Sequence, residues 1–384
     1  MSSSSYRFAF LIEQTLGHVT HGQNLAAAVA RDASIEATWL PVQYQCDDRI
    51  GRLPVIGSNW TLKLSLRARS QLRSAGGAEQ FDALFAHTQV VAHAMLGAMR
   101  RTPTIVSLDA TPIGRAEVEA RTGATARSTR APHRLAKAWT TAVLRRAAAV
   151  VAWSKWAGDS VAKDYGVDAA KVHVIPPGVD ANAWRPRPEP HDASRLPRLL
   201  FVGGQFHRKG GPGLLEALGD RLGRTCELDV VTRSRDVPQR PGLRVHHDMK
   251  PNSSELRDLV AACDVFVLPT KKDFSPLAIL EAAACGLPVI ATDVGGIGEQ
   301  IEHGVTGLII PPNDNGSLTA AIDALLSDAA KRRDLGVAGR ARVERDFDLA
   351  RNTAHITSLM KRLADERRRP ELSAQTAATA GGRS

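Results

Sequence analysis

The chain has 384 residues with 43% hydrophobic content, a globular composition too long for one ordinary core and suited to two domains of somewhat under two hundred residues each. Its formal charge of +10 is uneven, with 21 basic against 14 acidic residues up to Asp180. That excess fits an anionic acceptor, a membrane surface or a solvated face; with no binding motif beside it, nucleic acid is not expected as a partner.

The cysteines Cys46, Cys226, Cys263 and Cys285 lie far apart without metal-ligand or paired spacing, and read as reduced thiols of a cytoplasmic protein. No basic region precedes an apolar amino-terminal segment, and no run of ~18 apolar residues occurs, so neither export nor a membrane span is expected.

In chain order, YRFAFLIE (residues 6–13) reads as a first strand. QTLGHVTH (14–21) follows as a glycine-containing loop, with a helix starting near Gly22. Gly17 is where a backbone can come close. His18 and His21 read either as polar groups of a cleft or as ordinary loop histidines. A second strand is expected over 37–42. Residues 59–73 then carry Trp60, Leu64, Ala68 and Leu72 at helical spacing, with Lys63, Arg67, Arg69 and Arg73 around that face. This is a core-facing helix with a basic outer side or a membrane-surface helix. Strands at 81–86 and 104–108 exit at His87 and at Asp109, onto the same crevice as the Gly17 loop.

From Pro112 to Arg146 the chain is rich in arginine and poor in large apolar residues before Leu135, and we expect a long, basic, mobile acceptor loop. A strand at 148–153 and another within VHVIPPGVD (172–180) follow. The proline- and charge-rich run 185–197 is placed as an interdomain linker.

Beyond it, strand 198–202 runs into GGQFHRKGG (203–211). Glycines after a strand, followed by cations and a helix, suit a diphosphate, because backbone amides approach closely and Arg or Lys neutralises charge. Strands at 228–232, 243–246 and 265–268 continue the pattern. Residues 266–296, FVLPTKKDFSPLAILEAAACGLPVIATDVGG, then read as strand, loop, helix, strand and glycine turn. Asp273 stands at the strand exit and Glu281 within the helix, and the amides from Phe274 through Ser275 and Pro276 to Leu277 are expected to open onto the crevice as a helix amino-terminus.

This stretch resembles the donor signature of retaining glycosyltransferases with the GT-B fold, of the large group 1 or family 4 type. There, an acid and a glutamate with seven residues between them bracket a nucleotide sugar. The resemblance implies an α/β chain of two Rossmann-like domains facing each other across a cleft. It also implies that Asp273 meets the sugar hydroxyls and Glu281 the ribose diol. The family's first acid is usually glutamate followed by Gly-Phe-Gly, whereas here Asp273 is followed by Phe274-Ser275-Pro276. Lys209 matches the family's phosphate-loop lysine, Gly203 and Gly204 form the loop, and Gly204 stands where the family has an arginine; neighbouring Arg208 is taken as its substitute. By the same resemblance the Gly17 loop approaches the donor diphosphate or acceptor, and Asp109 replaces a histidine that contacts the transferred sugar. Asp109 then either touches a hydroxyl or caps its loop. His18, His21, His87 and Asp109 together form the expected acceptor side.

The expected organisation is an acceptor domain over 1–184, the linker over 185–197 and a donor domain over 198–348. A helix over 349–368 crosses back onto the first domain, and a disordered tail follows over 369–384. The expected activity is metal-independent, retaining transfer of a sugar from a nucleotide-diphosphate sugar, with no other cofactor. Asp109, Arg208, Lys209 and Asp273 are the expected catalytic groups. The acceptor is a hydroxyl-bearing or anionic small molecule or lipid, which leaves peripheral membrane contact open. A GT-B-fold sugar-nucleotide epimerase and a non-catalytic sugar or anionic-surface binding module stand as alternatives.

Overall fold

The computed structural model describes residues 5–15, 17–44, 59–123, 130–187 and 195–380. Cys46, residues 188–194 of the expected linker and residues 381–384 lie outside them. The strands form two six-stranded sheets, each wholly parallel. The first has the order β2-β1-β3-β4-β5-β6, from β1 (Tyr6–Glu13), β2 (Ile35–Val42), β3 (Ala83–His87), β4 (Thr104–Leu108), β5 (Ala149–Ala152) and β6 (Val172–Val174). The second has the order β12-β11-β10-β7-β8-β9. Its strands are β7 (Arg198–Val202), β8 (Glu227–Val231), β9 (Leu243–His246), β10 (Val265–Leu268), β11 (Val289–Thr292) and β12 (Gly307–Ile310). Continuous apolar runs such as Phe8 to Leu11, buried on both faces, are what parallel strands covered by helices require.

Alternation splits the first sheet's side chains between two cores. Ala9, Leu11, Leu84 and Ala86 face the helix Trp60–Ser74, while Phe8, Phe10, Ala83 and Phe85 face the other way. That second face is covered partly by the last helix, through Ile356, Leu359 and Met360, each worth about 1.5–3 kcal/mol of burial. Polar ties fix its register: Tyr6 donates to Asp365, Lys361 pairs with Asp32 at 2.7 Å and Arg368 with Asp82 at 2.7 Å.

Several expectations change. The last helix runs Leu349–Ala380 rather than ending at 368, because the residues after Pro370 are rich in alanine and other helix formers. The first helix begins at Gly17, not Gly22, since Thr15 already accepts from the His18 amide at 3.0 Å and closes a turn directly after β1. The described parts of the arginine-rich stretch are helical: Pro112–Thr122 is a helix capped by Thr111 and started by proline, and Arg130–Arg146 is another. On the helix Trp60–Ser74, Arg67 turns inward and donates to the carbonyls of Gln43 and Tyr44, so it is not part of a basic outer face. Among the described residues, no helix is long and apolar enough to cross a membrane.

Candidate active site

In the second sheet the direction of strand progression reverses between β7 and β10. Ligand crevices open at such switch points, outside the carboxyl ends of the strands. The two exits there are the glycine loop 203–211 and the segment from Pro269 to the helix Leu277–Ala284. They touch: Gly210, at φ 87°, lies so close to Pro269 that a Cβ would sit 1.9 Å from the Pro269 carbonyl oxygen, so only glycine fits.

Lys209 and Asp273, one from each exit, form an ion pair with both side chains mostly covered. Burial lowers the Lys209 pKa, Arg208 adds to that, and Asp109 of the first sheet opposes it. Asp109, just after β4 of the first sheet, is thus near enough to Lys209 to act on its charge. Arg208 donates to the Lys272 carbonyl at 2.8 Å, and its own pKa is lowered by burial and then by Arg115. Arg115, on the helix Pro112–Thr122, lies 5.6 Å over the Phe274 ring. The expectation of open amides at the donor helix is corrected in two places: Phe274 N is already held by the Asp273 carboxylate at 3.1 Å, and Pro276, the cap residue, has no N–H to give. Ser275 and Leu277 are buried beside them.

Glu281 is the most unusual group of the site. It is only 7% exposed, and its carboxylate has no hydrogen-bond or ion-pair partner among the described residues. Burial alone pushes its pKa up to about 7.

The first sheet's own switch lies between β1 and β3. His18 and His21, one helical turn apart, meet His87 there, at ring-centroid separations of 4.9 and 4.8 Å. Trp153 at the β5 exit completes the cluster, 4.6 Å from His21, and anchors its indole N–H on Ser107 at 2.8 Å. His87 is fully buried, and neither ring nitrogen has a partner among the described residues. Burial first, then the neighbouring histidines, holds His87 well below the usual imidazole range, and burial followed by His18 takes His21 down to about 3. Both rings are neutral near pH 7. Glu13 accepts from Thr88 at 2.5 Å, which holds the Thr88 backbone at φ 85° just after His87. His18 lies 3.9 Å from Asp109. The four residues expected on the acceptor side are thus one cluster. A Cβ at Gly17 would meet nothing within 4 Å, so this helix start faces open space.

The two lobes touch around this cleft. Glu299 accepts from the Lys155 and Trp156 amides at 2.6 and 2.7 Å, and Trp156 stacks on Phe274 at 5.7 Å. Glu119 pairs with Lys272, and Thr122 accepts from Asn313 at 2.9 Å. Trp153, Trp156, Arg115, Glu119 and Glu299 were not singled out from the sequence. Only Arg115 and Glu119 carried a signal, as members of the arginine-rich stretch. Among the described residues, no group of three or more His, Cys, Asp or Glu side chains is arranged to hold a metal.

Residues 187–342 match the family described as "Glycosyl transferases group 1", and residues 19–183 match "Glycosyltransferase Family 4". The chain belongs to these group 1, family 4 glycosyltransferases. This glycosyltransferase is 29% identical to the glycogen synthase of Mycobacterium tuberculosis over 329 residues, 79% of the chain and 76% of the relative. It is 32% identical to the alpha-maltose-1-phosphate synthase of Mycolicibacterium smegmatis over 235 residues, 53% of the chain and 60% of the relative. Among solved structures it resembles sucrose-phosphate synthase from Thermosynechococcus elongatus with a TM-score of 0.76 at 19% identity, covering 93% of this chain and 99% of that one. The fold is GT-B, and the glycosyltransferase uses a nucleotide sugar as donor.

Proposed function

We propose that the enzyme is a retaining hexosyltransferase, acting without a metal ion, that moves the sugar of a nucleoside diphosphate sugar to a hydroxyl of an anionic acceptor. In this reading residues 198–348 hold the donor and residues 1–184 the acceptor. The observation that carries it is Glu281: a buried carboxylate without a partner is costly, and a ribose diol supplies two hydroxyl donors to one carboxylate. Asp273 lies close enough to Lys209 to take sugar hydroxyls beside the departing phosphate. Lys209 and Arg208 stabilise the diphosphate as the bond from the anomeric carbon to its oxygen breaks. The acceptor oxygen bonds to that carbon on the same face, and its proton passes to the leaving phosphate oxygen.

The polar acceptor side favours a small hydroxyl-bearing molecule, with His18 and Asp109 at its mouth. The charge excess up to Asp180, and a relative named for a sugar phosphate product, favour an anionic one. Release of nucleoside diphosphate is to be measured across a panel of nucleotide sugars, with and without sugar phosphates, and the anomeric configuration of the product read by NMR. An inverted product refutes retention. Interconversion of nucleotide sugars without an acceptor favours the epimerase instead.

A further inference from the structure

The paired glycines Gly203 and Gly204 each lie under a cation. A Cβ at Gly203 would come 3.0 Å from Lys209 Cγ, and one at Gly204 would come 3.2 Å from both Nε and Nη2 of Arg233. Arg233 follows β8, the strand next to β7, and its backbone is held on both sides. Ser234 accepts from the Phe206 amide at 3.0 Å, and the Thr232 amide donates to the His246 carbonyl at 3.0 Å. The side chain is exposed and has no hydrogen-bond or ion-pair partner among the described residues. Two nearby carboxylates are already engaged, Asp236 with His207 at 2.8 Å and Asp248 with Arg235 at 3.1 Å. The amides of Gly204 and Gln205 likewise donate to no group among the described residues. A free guanidinium lying on a glycine loop whose amides are unused is an arrangement made for an anion.

We infer that Arg233 is a donor-binding residue, its guanidinium holding the diphosphate together with Lys209 and the Gly204 and Gln205 amides. Position 204 is then glycine because that guanidinium occupies the space of its side chain. The inference rests on the reading of this cleft as a nucleoside diphosphate site. Arg208 is the weaker candidate for this contact, since its guanidinium already donates to Lys272 and Gln205.

The test is calorimetric binding of UDP, GDP and ADP, with the matching nucleosides as controls. Arg233→Ala should weaken the diphosphate that binds by about tenfold or more, the range for a hydrogen bond to a charged group, and leave nucleoside binding within about twofold. Arg233→Lys, which keeps the charge but loses the planar fork, should fall between. Gly204→Arg alone should also weaken binding, because two guanidinium groups then compete for one place. Combining it with Arg233→Ala should restore affinity to within about threefold of wild type. Arg233 is exposed, so its alanine variant is expected to fold, and circular dichroism checks this. If Arg233→Ala leaves diphosphate affinity unchanged while Glu281→Gln lowers it, the inference is overturned and the donor-site reading stands. If no diphosphate binds and neither variant has an effect, both are overturned.

Discussion

Replacing Glu281 with glutamine should stabilise the free protein and disable it at once. Holding a carboxyl at about 7 instead of its ordinary 4.5 corresponds to about 3 kcal/mol of destabilisation of the charged form, at 1.36 kcal/mol per tenfold change. Between pH 4.5 and about 7 the folded protein keeps a proton that the unfolded chain has lost, so stability falls as pH rises through that window and is level above it. Glutamine removes the charge but buries an amide, a more polar group than the neutral acid it replaces, at an extra cost of about 1–2 kcal/mol over that acid. The net gain at pH 8 is therefore about 1–2 kcal/mol, and the pH-dependent loss between 5 and 7 should largely vanish. Donor binding moves the other way: a neutral amide accepts ribose hydroxyls less strongly, and affinity for the nucleoside diphosphate should fall by about 1–3 kcal/mol. Wild-type affinity should itself rise with pH as the carboxyl ionises. Urea unfolding at pH 5 and pH 8, paired with calorimetry on UDP, GDP and ADP, measures both arms. A variant less stable than wild type at pH 8 refutes the account of a strained, partnerless carboxylate. Unchanged nucleotide affinity in a folded variant refutes the ribose contact.

Lys209→Ala should lower turnover more than it lowers nucleoside binding, because its charge matters most as the diphosphate departs; equal losses in steady-state rate and nucleoside affinity would count against a phosphate contact. Glu299→Ala removes the carboxylate that receives the Lys155 and Trp156 amides, and should cost about 1 kcal/mol in urea unfolding, as loss of a helix cap does, with a raised donor KM. A lowered stability with an unaltered KM would restrict that contact to a structural role. For any acceptor found in the screen, raising ionic strength from ~0.1 M towards ~1 M shortens the Debye length from ~10 to ~3 Å, so acceptor affinity should fall while donor affinity changes less. Salt-insensitive acceptor kinetics would reduce the basic face to solvation.

Much of the fold was legible because parallel strands buried on both faces write themselves as short apolar runs. Thr104–Leu108, Arg198–Val202, Leu243–His246 and Val265–Leu268 have the limits their sequences suggest. The arginine-rich stretch misled because its helices keep few large apolar residues: Pro112–Thr122 buries only Gly114, Val118 and Thr122. Arg67 misled for the opposite reason. Helical spacing places it beside the apolar face, but its burial depends on carbonyls from elsewhere in the chain, among them those of residues 43 and 44. The tryptophans and Glu299 were silent because their meaning depends on contact between lobes, which one strand's pattern does not carry.

The same distinction separates the two halves of the proposed donor site. Asp273 and Glu281 belong to one strand, loop and helix, so their spacing along the chain is their spacing in space, and the motif can be read directly. The cationic half is assembled from three places: Lys209 and Arg208 from the β7 exit, Arg115 from the opposite lobe and Arg233 from the β8 exit. Gly204 announces a missing side chain, yet the sequence alone points to adjacent Arg208 as its replacement. The sheet order puts β8 next to β7 and carries Arg233 onto the glycine instead. Anion sites built from separate strand exits can exchange the residue that supplies a charge while keeping the place where it acts. Consequently the position of the guanidinium, rather than the number of the residue bearing it, is what the paired Gly204→Arg and Arg233→Ala variants should conserve.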